Sequence, residues 1–212
     1  YNTIHGTPGE DGKLQGYLDL LDIPYSGCNV ITSAVTFNKN LCKRVVNSYG
    51  ITTAKSVFLS NRIAYNTQQI QGELSYPSFV KPNNGGSSFG ASKVDSANQL
   101  EEAIKLAFEH DTEVLIEEFI RGTEVTCGVY QEGGLPKALP VTEISTKNDF
   151  FDYAAKYEGA SEEITPARIG VELTDECQKL SEKIYALLNC RGLVRIDYLI
   201  KNDELYFVEV NT

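Results

Sequence analysis

The stretch VRIDYLIKNDELYFVEVNT, residues 194–212, constrains the fold most, because it predicts a β-hairpin whose apolar pattern is interrupted by polar side chains. Two hydrophobic segments flank a polar turn. Side chains alternate between the two faces of a strand, so Arg195 and Asp197 share one face of the first strand. Glu209 and Asn211 share one face of the second strand for the same reason.

The length of the turn decides whether these polar side chains meet. A three-residue turn over residues 202–204 predicts that Asp197 lies opposite Glu209. The same register places Arg195 opposite Asn211, on the same side of the sheet. A two-residue turn predicts instead that the two carboxylates lie on opposite faces. With the three-residue turn, the other face is predicted to carry Ile196, Tyr198, Val208 and Val210.

Two carboxylates placed directly across a strand pair repel each other unless a positive charge lies between them. The oxygens of Asp197, Glu209 and Asn211 form the all-oxygen ligand set that Mg²⁺ or Mn²⁺ prefers. The alternative is a structural salt-bridge cluster in which Arg195 neutralises both acids. Spacing alone leaves both interpretations open.

The segment FVKPNNGGSSFG has the composition of a phosphate-binding loop. Lys81 ends a predicted strand, glycines let the backbone approach a ligand, and the Ser87 hydroxyl adds a donor. The lysine precedes the glycines, so this is not the Walker pattern. The alternative is a plain surface turn. Lys39, in a predicted helix, is the second candidate phosphate ligand, and its alternative is a solvated helix lysine.

The segment LIEEFIRGTE predicts a strand whose backbone can donate and accept along the edge of an adenine base. Glu117 and Glu118 lie beside apolar residues, and Glu124 is placed to bind vicinal ribose hydroxyls. By itself the segment is also typical of an ordinary amphipathic strand. Phosphate lysines and a divalent-cation hairpin in one chain strengthen the nucleotide interpretation, because Mg-nucleotide requires both.

Composition excludes some partners. The 212 residues carry a formal net charge of −10 and an isoelectric point near 4.7, which argues against non-specific binding to nucleic acid or an anionic membrane. The sequence has no apolar run long enough for a membrane span and no signal peptide. The five cysteines have no metal-ligand spacing, and we expect buried free thiols in a reducing cytoplasm. They are Cys28, Cys42, Cys127, Cys177 and Cys190.

Hydrophobic periodicity predicts alternating helices and strands. The predicted helices are residues 10–21, 30–49, 96–110 and 174–189. Ser96 and Gln99 match a capping box at the start of the third. The predicted strands before the hairpin are residues 1–4, KSVFLS, PSFVKP, ASKV, EVLIEEFI, EVTCGVYQ and PKALPVTEIS. Residues 146–170 form a long polar and aromatic excursion, which is typical of a functional loop.

The order of these motifs resembles the ATP-grasp superfamily: an entry lysine, VKP with a glycine loop, EEFIRGTE, then RID and EVN. Within it, HGTPGEDGKLQGYLDLLDIPYSG, GGSSFG, DYAAKY and RIDY resemble the D-alanine–D-alanine ligase family, over essentially the whole sequence. The resemblance implies an α+β ATP-grasp fold, in which two α+β lobes grip ATP, with a remnant of an α/β N-terminal domain. The implied divisions are the remnant at 1–29, a central lobe with the glycine loop at 30–117, and a C-terminal lobe with the metal hairpin at 118–212.

The resemblance also implies an activity and roles for individual residues. The family phosphorylates the carboxylate of one D-alanine with ATP and Mg²⁺, and the amine of a second D-alanine attacks the acylphosphate, for peptidoglycan synthesis. By motif, Lys39 and Lys81 hold phosphates, Arg195 stabilises the tetrahedral oxygen, and Glu124 binds the ribose. The implied adenine contacts are Glu117, Glu118 and Ile120, and the implied metal ligands are Asp197, Glu209 and Asn211.

Four further residues take roles from the resemblance. Lys156 and Tyr157 lie on a loop that closes over the site in this family, with the tyrosine bonded to Ser87, and His5 lies near the second D-alanine. Relatives that make the D-alanyl-D-lactate ester carry a histidine where Tyr157 stands, so the tyrosine favours the dipeptide. The family's first strand and its Pro-Gly loop beyond EVNT have no counterpart. We therefore expect a chain cut at both ends, from a cytoplasmic homodimer, with only part of the amino-acid sites.

Two alternatives remain open from the sequence. One is another ATP-grasp carboxylate–amine ligase, such as a D-alanine–D-lactate ligase. HGTPGEDG and AAKY argue against an unrelated member of the superfamily. The other is a nucleotide-binding module or fragment without turnover. Retention of Lys81, Arg195 and the acid pair argues against it.

Overall fold

The computed structural model describes residues 2–86, 89–146 and 161–212. The helices are α1 (Lys13–Leu20), α2 (Val30–Phe37), α3 (Lys39–Ser48), α4 (Thr67–Glu73), α5 (Ala97–His110) and α6 (Val171–Leu187). The strands are β1 (Ser56–Ser60), β2 (Ser78–Pro82), β3 (Ser92–Val94), β4 (Glu113–Glu118), β5 (Thr123–Glu132), β6 (Leu135–Ala138), β7 (Thr142–Thr146), β8 (Ser161–Ile164), β9 (Val194–Lys201) and β10 (Glu204–Asn211).

The first lobe is an antiparallel sheet with strand order β1-β4-β2-β3, covered by α4 and α5. The apolar stripe of α5 forms its core, as the helical spacing predicts, and Leu100, Ile104 and Ala107 are almost completely buried. Val80 on β2 and Ile116 on β4 pack into the same core. The opposite face of this sheet carries the polar side chains Lys81 and Glu117, and Lys43 of α3 reaches the Glu117 carboxylate there.

The second lobe is built on a sheet with strand order β10-β9-β5-β7-β8, and β6 pairs with the outer part of β5. Its core includes Ile184 of α6, Ile196 and Tyr198 of β9, and Phe207 of β10. All five cysteines are buried free thiols, as the sequence predicts. Cys28, Cys42, Cys127, Cys177 and Cys190 all belong to this core.

The helical stretch predicted at residues 30–49 is wrong in one respect, because it is two helices. Asn38 separates them with an extended backbone, φ −86° and ψ 102°. Its side-chain oxygen accepts a hydrogen bond from the N–H of Leu41 at 2.9 Å, so it caps α3. The break places Lys39 at the first position of a helix instead of in the middle of one.

α2 and α3 also pack against the second lobe, since Val46 and Ile51 share its core and both helices contact β10. The prediction grouped residues 30–117 as one lobe. The packing instead joins the first part of that range to the C-terminal sheet. The domain limits themselves stay a prediction.

The first residues differ from the predicted pattern. Residues 2–5 form no strand, so that prediction is wrong. α1 begins at Lys13, so Glu10 and Asp11 precede it and do not lie in its first turn as predicted. The Asp11 side chain instead accepts a hydrogen bond from the N–H of Lys13 at 3.0 Å. Gly12 caps the helix at φ 88°, where a Cβ atom would come within 2.8 Å of the Val30 carbonyl oxygen. Glycine is therefore required at this approach between α1 and α2.

The C-terminal hairpin reaches the predicted register by a different route. Its turn has two residues, Asn202 and Asp203, both with positive φ, and Glu204 pairs with Lys201. The predicted three-residue turn is therefore wrong. A β-bulge between residues 207 and 209 restores the predicted register, because an extra residue in one strand moves every later pair by one position.

The bulge makes Asp197 pair with Glu209 and Arg195 pair with Asn211, so these predicted pairs are confirmed. Val208 is the extra residue. It lines the cleft between the lobes rather than facing the core with Val210, which corrects its predicted side.

Four smaller differences concern single elements. α4 was not predicted, because its polar sequence buries only Ile70. The capping box does not form, since the Ser96 hydroxyl donates to Asn98 at 2.5 Å and Gln99 accepts from the Asp95 N–H at 2.8 Å. The predicted strand PKALPVTEIS is two strands, β6 and β7, which pair antiparallel with successive parts of β5 on the edge opposite β9. The excursion at 146–170 contains β8, which pairs with β7.

Candidate functional site

A cleft of about 940 Å³ lies between the two sheets. The first lobe contributes the exposed faces of β2 and β4 and the glycine loop after β2. The second lobe contributes β5, β7 and the hairpin β9–β10. Among the residues predicted from sequence, those that line the cleft are Lys39, Lys81, Glu117, Glu118, Ile120, Glu124, Arg195, Asp197 and Glu209.

Lys39 links the glycine loop to the hairpin. Its Nζ donates to the carbonyl oxygen of Gly85 at 2.6 Å and lies 3.1 Å from Oε2 of Glu209. Its side chain is 13% exposed, so the ammonium group faces the cleft and not bulk solvent. The two predicted ends of the site, phosphate loop and acidic hairpin, therefore meet at this lysine.

A network of amides fixes Lys39 relative to the loop. The backbone N–H of Lys39 donates to the carbonyl oxygen of Asn83 at 3.1 Å. One carboxylate oxygen of Glu113 accepts from the side-chain amides of Asn38, Asn83 and Asn84, at 3.1, 2.7 and 3.0 Å. No sequence motif predicts this network, because Asn38, the adjacent pair Asn83 and Asn84, and Glu113 are distant from one another in the chain.

Lys81, Glu117 and Lys43 form a buried charge cluster on the first lobe. Lys81 contacts Oε2 of Glu117, and Lys43 contacts Oε1 of the same carboxylate. Burial alone would raise the pKa of Glu117, but the charges of Lys81 and Lys43 outweigh it and lower that pKa to about 2. Burial lowers the pKa of Lys43, and the attraction of Glu117 offsets this only in part. Glu117 is therefore a fixed carboxylate at neutral pH.

The end of β4 and the residues after it lie beside this cluster, and they include Glu118 and Ile120 of the predicted adenine-binding segment. Glu118 does not point freely into the cleft, because its Oε1 accepts the N–H of Lys55 at 2.8 Å and its own N–H donates to the Lys55 carbonyl oxygen at 2.9 Å. Ile120 is buried beside it. Glu124, on β5, lies across the cleft and pairs in the sheet with Leu199. The apolar wall and the backbone groups thus lie on the first side of the cleft, and Glu124 lies on the other.

The hairpin acids each contact a cation from the protein. Arg195 binds Asp197 through two hydrogen bonds of 2.9 Å, from Nε and Nη2. Asn211 donates its amide N–H to the same carboxylate at 3.0 Å, and Glu209 contacts Lys39. Burial by itself would lower the pKa of Arg195, but Asp197 and Glu209 outweigh it and raise that pKa.

This arrangement bears on the two interpretations of the hairpin. Arg195 forms an ion pair with Asp197, and Glu209 lies 3.1 Å from Lys39, so two different cations of the protein contact the two acids. Within residues 2–86, 89–146 and 161–212, no group of three His, Cys, Asp or Glu side chains is arranged to hold a metal ion by itself. The donor set on this face consists of two carboxylates and one amide. It suits a hard cation that takes its remaining ligands from another molecule.

Thr126 is a polar residue of the cleft that sequence analysis missed. It pairs with Asp197 across the β5–β9 ladder. Its hydroxyl oxygen is buried and has no hydrogen-bond partner among the described residues. A buried hydroxyl without a partner is costly, so its place beside the hairpin acids fits a site completed by a polar ligand.

The other predicted residues are placed differently. His5 is 93% exposed and lies 3.9 Å from Glu10, and the structure does not bring it into the cleft. Ser87, Lys156 and Tyr157 lie outside the described residues. Their predicted roles therefore stay predictions.

Solved structures share this two-lobed arrangement. The D-Ala:D-Ser ligase VanG from Enterococcus faecalis matches 98% of this chain, over 61% of its own, with a TM-score of 0.87 and 41% identity. A D-alanine–D-alanine ligase from Bacillus anthracis, solved with ATP, matches 99% of this chain over 66% of its own, with a TM-score of 0.84 and 33% identity. The fold is the α+β ATP-grasp fold.

Sequence comparisons define the family more narrowly. The family model described as "D-ala D-ala ligase C-terminus" matches residues 45–212. D-alanine–D-alanine ligases from Phocaeicola vulgatus and Azobacteroides pseudotrichonymphae are 47% and 51% identical over 100% of this chain. The chain belongs to the D-alanine–D-alanine ligase family, as its motifs predict. It spans 66% of the length of those two relatives.

Proposed function

We propose that this chain forms the nucleotide- and metal-binding part of an ATP-dependent D-alanine–D-alanine ligase. The observation that supports it most is the convergence of Lys39, Lys81, Asp197 and Glu209 on one cleft. These residues come from both lobes. Nothing in the packing of either core requires them to meet there, whereas a metal–triphosphate needs cations and acids at one place.

The nucleotide lies with its phosphates toward the glycine loop and its base along the end of β4. Lys39 and Lys81 bind phosphate oxygens, and Glu124 binds the ribose hydroxyls. Glu117 accepts the exocyclic amine of adenine, while backbone groups near Glu118 and Ile120 read the ring edge. Ile120 supplies part of an apolar wall for the base.

Asp197, Glu209 and Asn211 hold Mg²⁺ or Mn²⁺. The hairpin register and the all-oxygen donor set fit such a cation. When bound, the cation withdraws charge from the phosphates of ATP and so favours transfer of the terminal phosphoryl group. The residues of the hairpin contribute orientation, since both acids project from a rigid strand pair.

The reaction joins two D-alanines for peptidoglycan synthesis. The carboxylate of the first takes the terminal phosphoryl group of ATP and becomes an acylphosphate, and ADP leaves. The amine of the second then attacks, and phosphate leaves. Arg195 lies beside Asp197 at the cleft and stabilises the negative charge that develops on the attacked oxygen.

Three parts of the proposal come from the family rather than from the cleft. Tyr157 favours the dipeptide over the D-alanyl-D-lactate ester, Lys156 reaches the transferred phosphate, and His5 lies near the second D-alanine. The described helices include none with the length and apolarity to cross a lipid bilayer. We place the protein in the cytoplasm, as a homodimer, from the family resemblance and the five free thiols.

Phosphate release measured with the complete gene product that carries this chain tests the proposal. We expect ATP to be converted to ADP and phosphate only when D-alanine and Mg²⁺ are present. Lys81→Met should abolish this, whereas Lys105→Met, on the exposed face of α5, should not. Turnover with D-lactate or D-serine as the second substrate, but not with D-alanine, would contradict the dipeptide assignment.

A further inference from the structure

Lys43 is a buried charged residue for which the proposed reaction has no direct use. It lies on α3, one turn after Lys39, and is 3% exposed. Its Nζ donates to the carbonyl oxygen of Ala54 at 2.8 Å and contacts Oε1 of Glu117. A buried ammonium group is expensive unless it is paired, so this position requires a specific partner.

Glu117 divides its two oxygens between two lysines. Oε1 contacts Lys43 and Oε2 contacts Lys81. Glu117 lies on β4 opposite Phe79, diagonally across the strand pair from Lys81 and on the same face. The two lysines come from different elements, α3 and β2.

The two lysines differ in what else they can bind. Lys81 lines the cleft, where a nucleotide phosphate competes for its ammonium group. Lys43 is held by Ala54 behind the carboxylate and does not line the cleft. When Lys81 turns to phosphate, Oε2 of Glu117 loses its partner while Oε1 keeps Lys43.

We propose that Lys43 is a positioning residue for base recognition: it holds Glu117 charged and oriented, so that the oxygen released by Lys81 accepts the exocyclic amine of adenine. This inference rests on the proposed nucleotide function. It adds a link between phosphate binding at Lys81 and base binding at Glu117. Phosphate binding at Lys81 prepares the carboxylate for the base. Lys43 acts only through Glu117.

Nucleotide selectivity measures this role. Inosine triphosphate carries a carbonyl oxygen where ATP carries the amine, so that position has no hydrogen to donate to Glu117. We expect Lys43→Met to weaken Mg-ATP binding roughly tenfold and to leave Mg-ITP binding nearly unchanged, in titration calorimetry. Lys43→Arg, which keeps the charge, should retain most of the preference for ATP. Lys105→Met is the matched control and should leave both affinities unchanged.

A double-mutant cycle separates positioning from folding. In a Glu117→Gln background, Lys43→Met should not change the ATP-to-ITP ratio further, because its target is gone. If Lys43→Met lowers both affinities equally while melting temperature falls, Lys43 is only structural and the inference is wrong. An unchanged ratio in Lys43→Met also overturns it. If the unsubstituted chain binds neither nucleotide, the proposed function is wrong as well. The two preceding outcomes for Lys43→Met overturn only the role of Lys43 and leave the proposed function intact.

Discussion

At the scale of single residues, Glu117 shows how the cleft holds a charge that water would otherwise solvate. The carboxylate is 8% exposed, and each of its oxygens contacts a lysine. Such a buried cluster is costly to assemble and more costly to break, because removing one member leaves an unpaired charge behind. The free energy of unfolding of the protein should therefore depend on pH.

The pH dependence follows from the lowered pKa of Glu117, about 2 against an ordinary value of 4.5. The stabilisation is fully present above pH 4.5 and is lost as pH falls toward 2, on the order of 3 kcal/mol. We expect Glu117→Gln to flatten the decline in urea midpoint between pH 5 and pH 3. An exposed Glu109→Gln control should decline like the unsubstituted chain.

Asp197 provides a second test at the residue scale. Asp197→Asn keeps the shape and one acceptor oxygen for Arg195, but it removes the charge that attracts a divalent cation. We expect Mg-dependent ATP binding to weaken at least tenfold, with ATP binding in excess EDTA unchanged, in calorimetric titrations. Equal affinities for Mg-ATP in the two proteins would contradict the metal role and favour the salt-bridge cluster.

Single residues were predictable where a motif fixed them and not elsewhere. Lys39, Lys81, Glu117 and the hairpin acids stand in short patterns that have a chemical meaning. Lys43 and Glu113 do not, because their partners are distant in the sequence and only the folded chain brings them together. His5 stands in a matching motif, yet its side chain is solvent-exposed and not in the cleft.

At the scale of elements, the hairpin β9–β10 combines two irregularities that compensate for each other. A two-residue turn alone would place Asp197 and Glu209 on opposite faces, and the bulge at Val208 restores their pairing. Sequence alternation indicated the correct pairing, since four polar residues had to share a face. It could not reveal the bulge, because a longer turn accounts for the same pattern.

The turn of that hairpin predicts a stabilising substitution. Asn202 and Asp203 have φ of 52° and 61°, a region that glycine adopts at lower cost than aspartate. We expect Asp203→Gly to raise the free energy of unfolding by about 0.5–1 kcal/mol, measured by urea denaturation. The β5–β6 turn, where Gly133 and Gly134 have φ of 60° and 88°, offers the reciprocal control. Gly134→Asp should destabilise, and a stabilising effect there would contradict the explanation.

At the scale of the whole molecule, the two lobes are joined through the phosphate end of the cleft. α3 packs in the core of the second lobe, while its first turn is bonded to Asn83 of the first. Glu113 holds that junction by accepting from three amides. The sequence pattern predicted most of the helices and strands of both lobes, whereas the division into lobes came from the family resemblance. Which core α2 and α3 join was not predictable from the pattern, because amphipathic helices do not reveal which sheet covers them.

The junction predicts a variant that affects folding and binding together. Glu113→Ala removes the acceptor of Asn38, Asn83 and Asn84, and leaving such amides unpaired should cost about 1–3 kcal/mol of stability. We also expect Mg-ATP to bind more weakly, because Lys39 and the glycine loop lose their common support. Urea midpoints and calorimetry check the two effects. Glu109→Ala, on the exposed side of α5, should show neither.

The contact between Lys39 and Glu209 has a consequence for how binding responds to ionic strength. Both hairpin acids already contact cations of the protein, Arg195 and Lys39. On the proposed function, a magnesium–triphosphate would exchange partners at these ion pairs: Lys39 would pass from Glu209 to phosphate, and Glu209 would pass from Lys39 to the metal. Added sodium chloride should change the affinity far less than for a site that presents uncompensated lysines, and magnesium alone should compete poorly with the ammonium group that it has to displace.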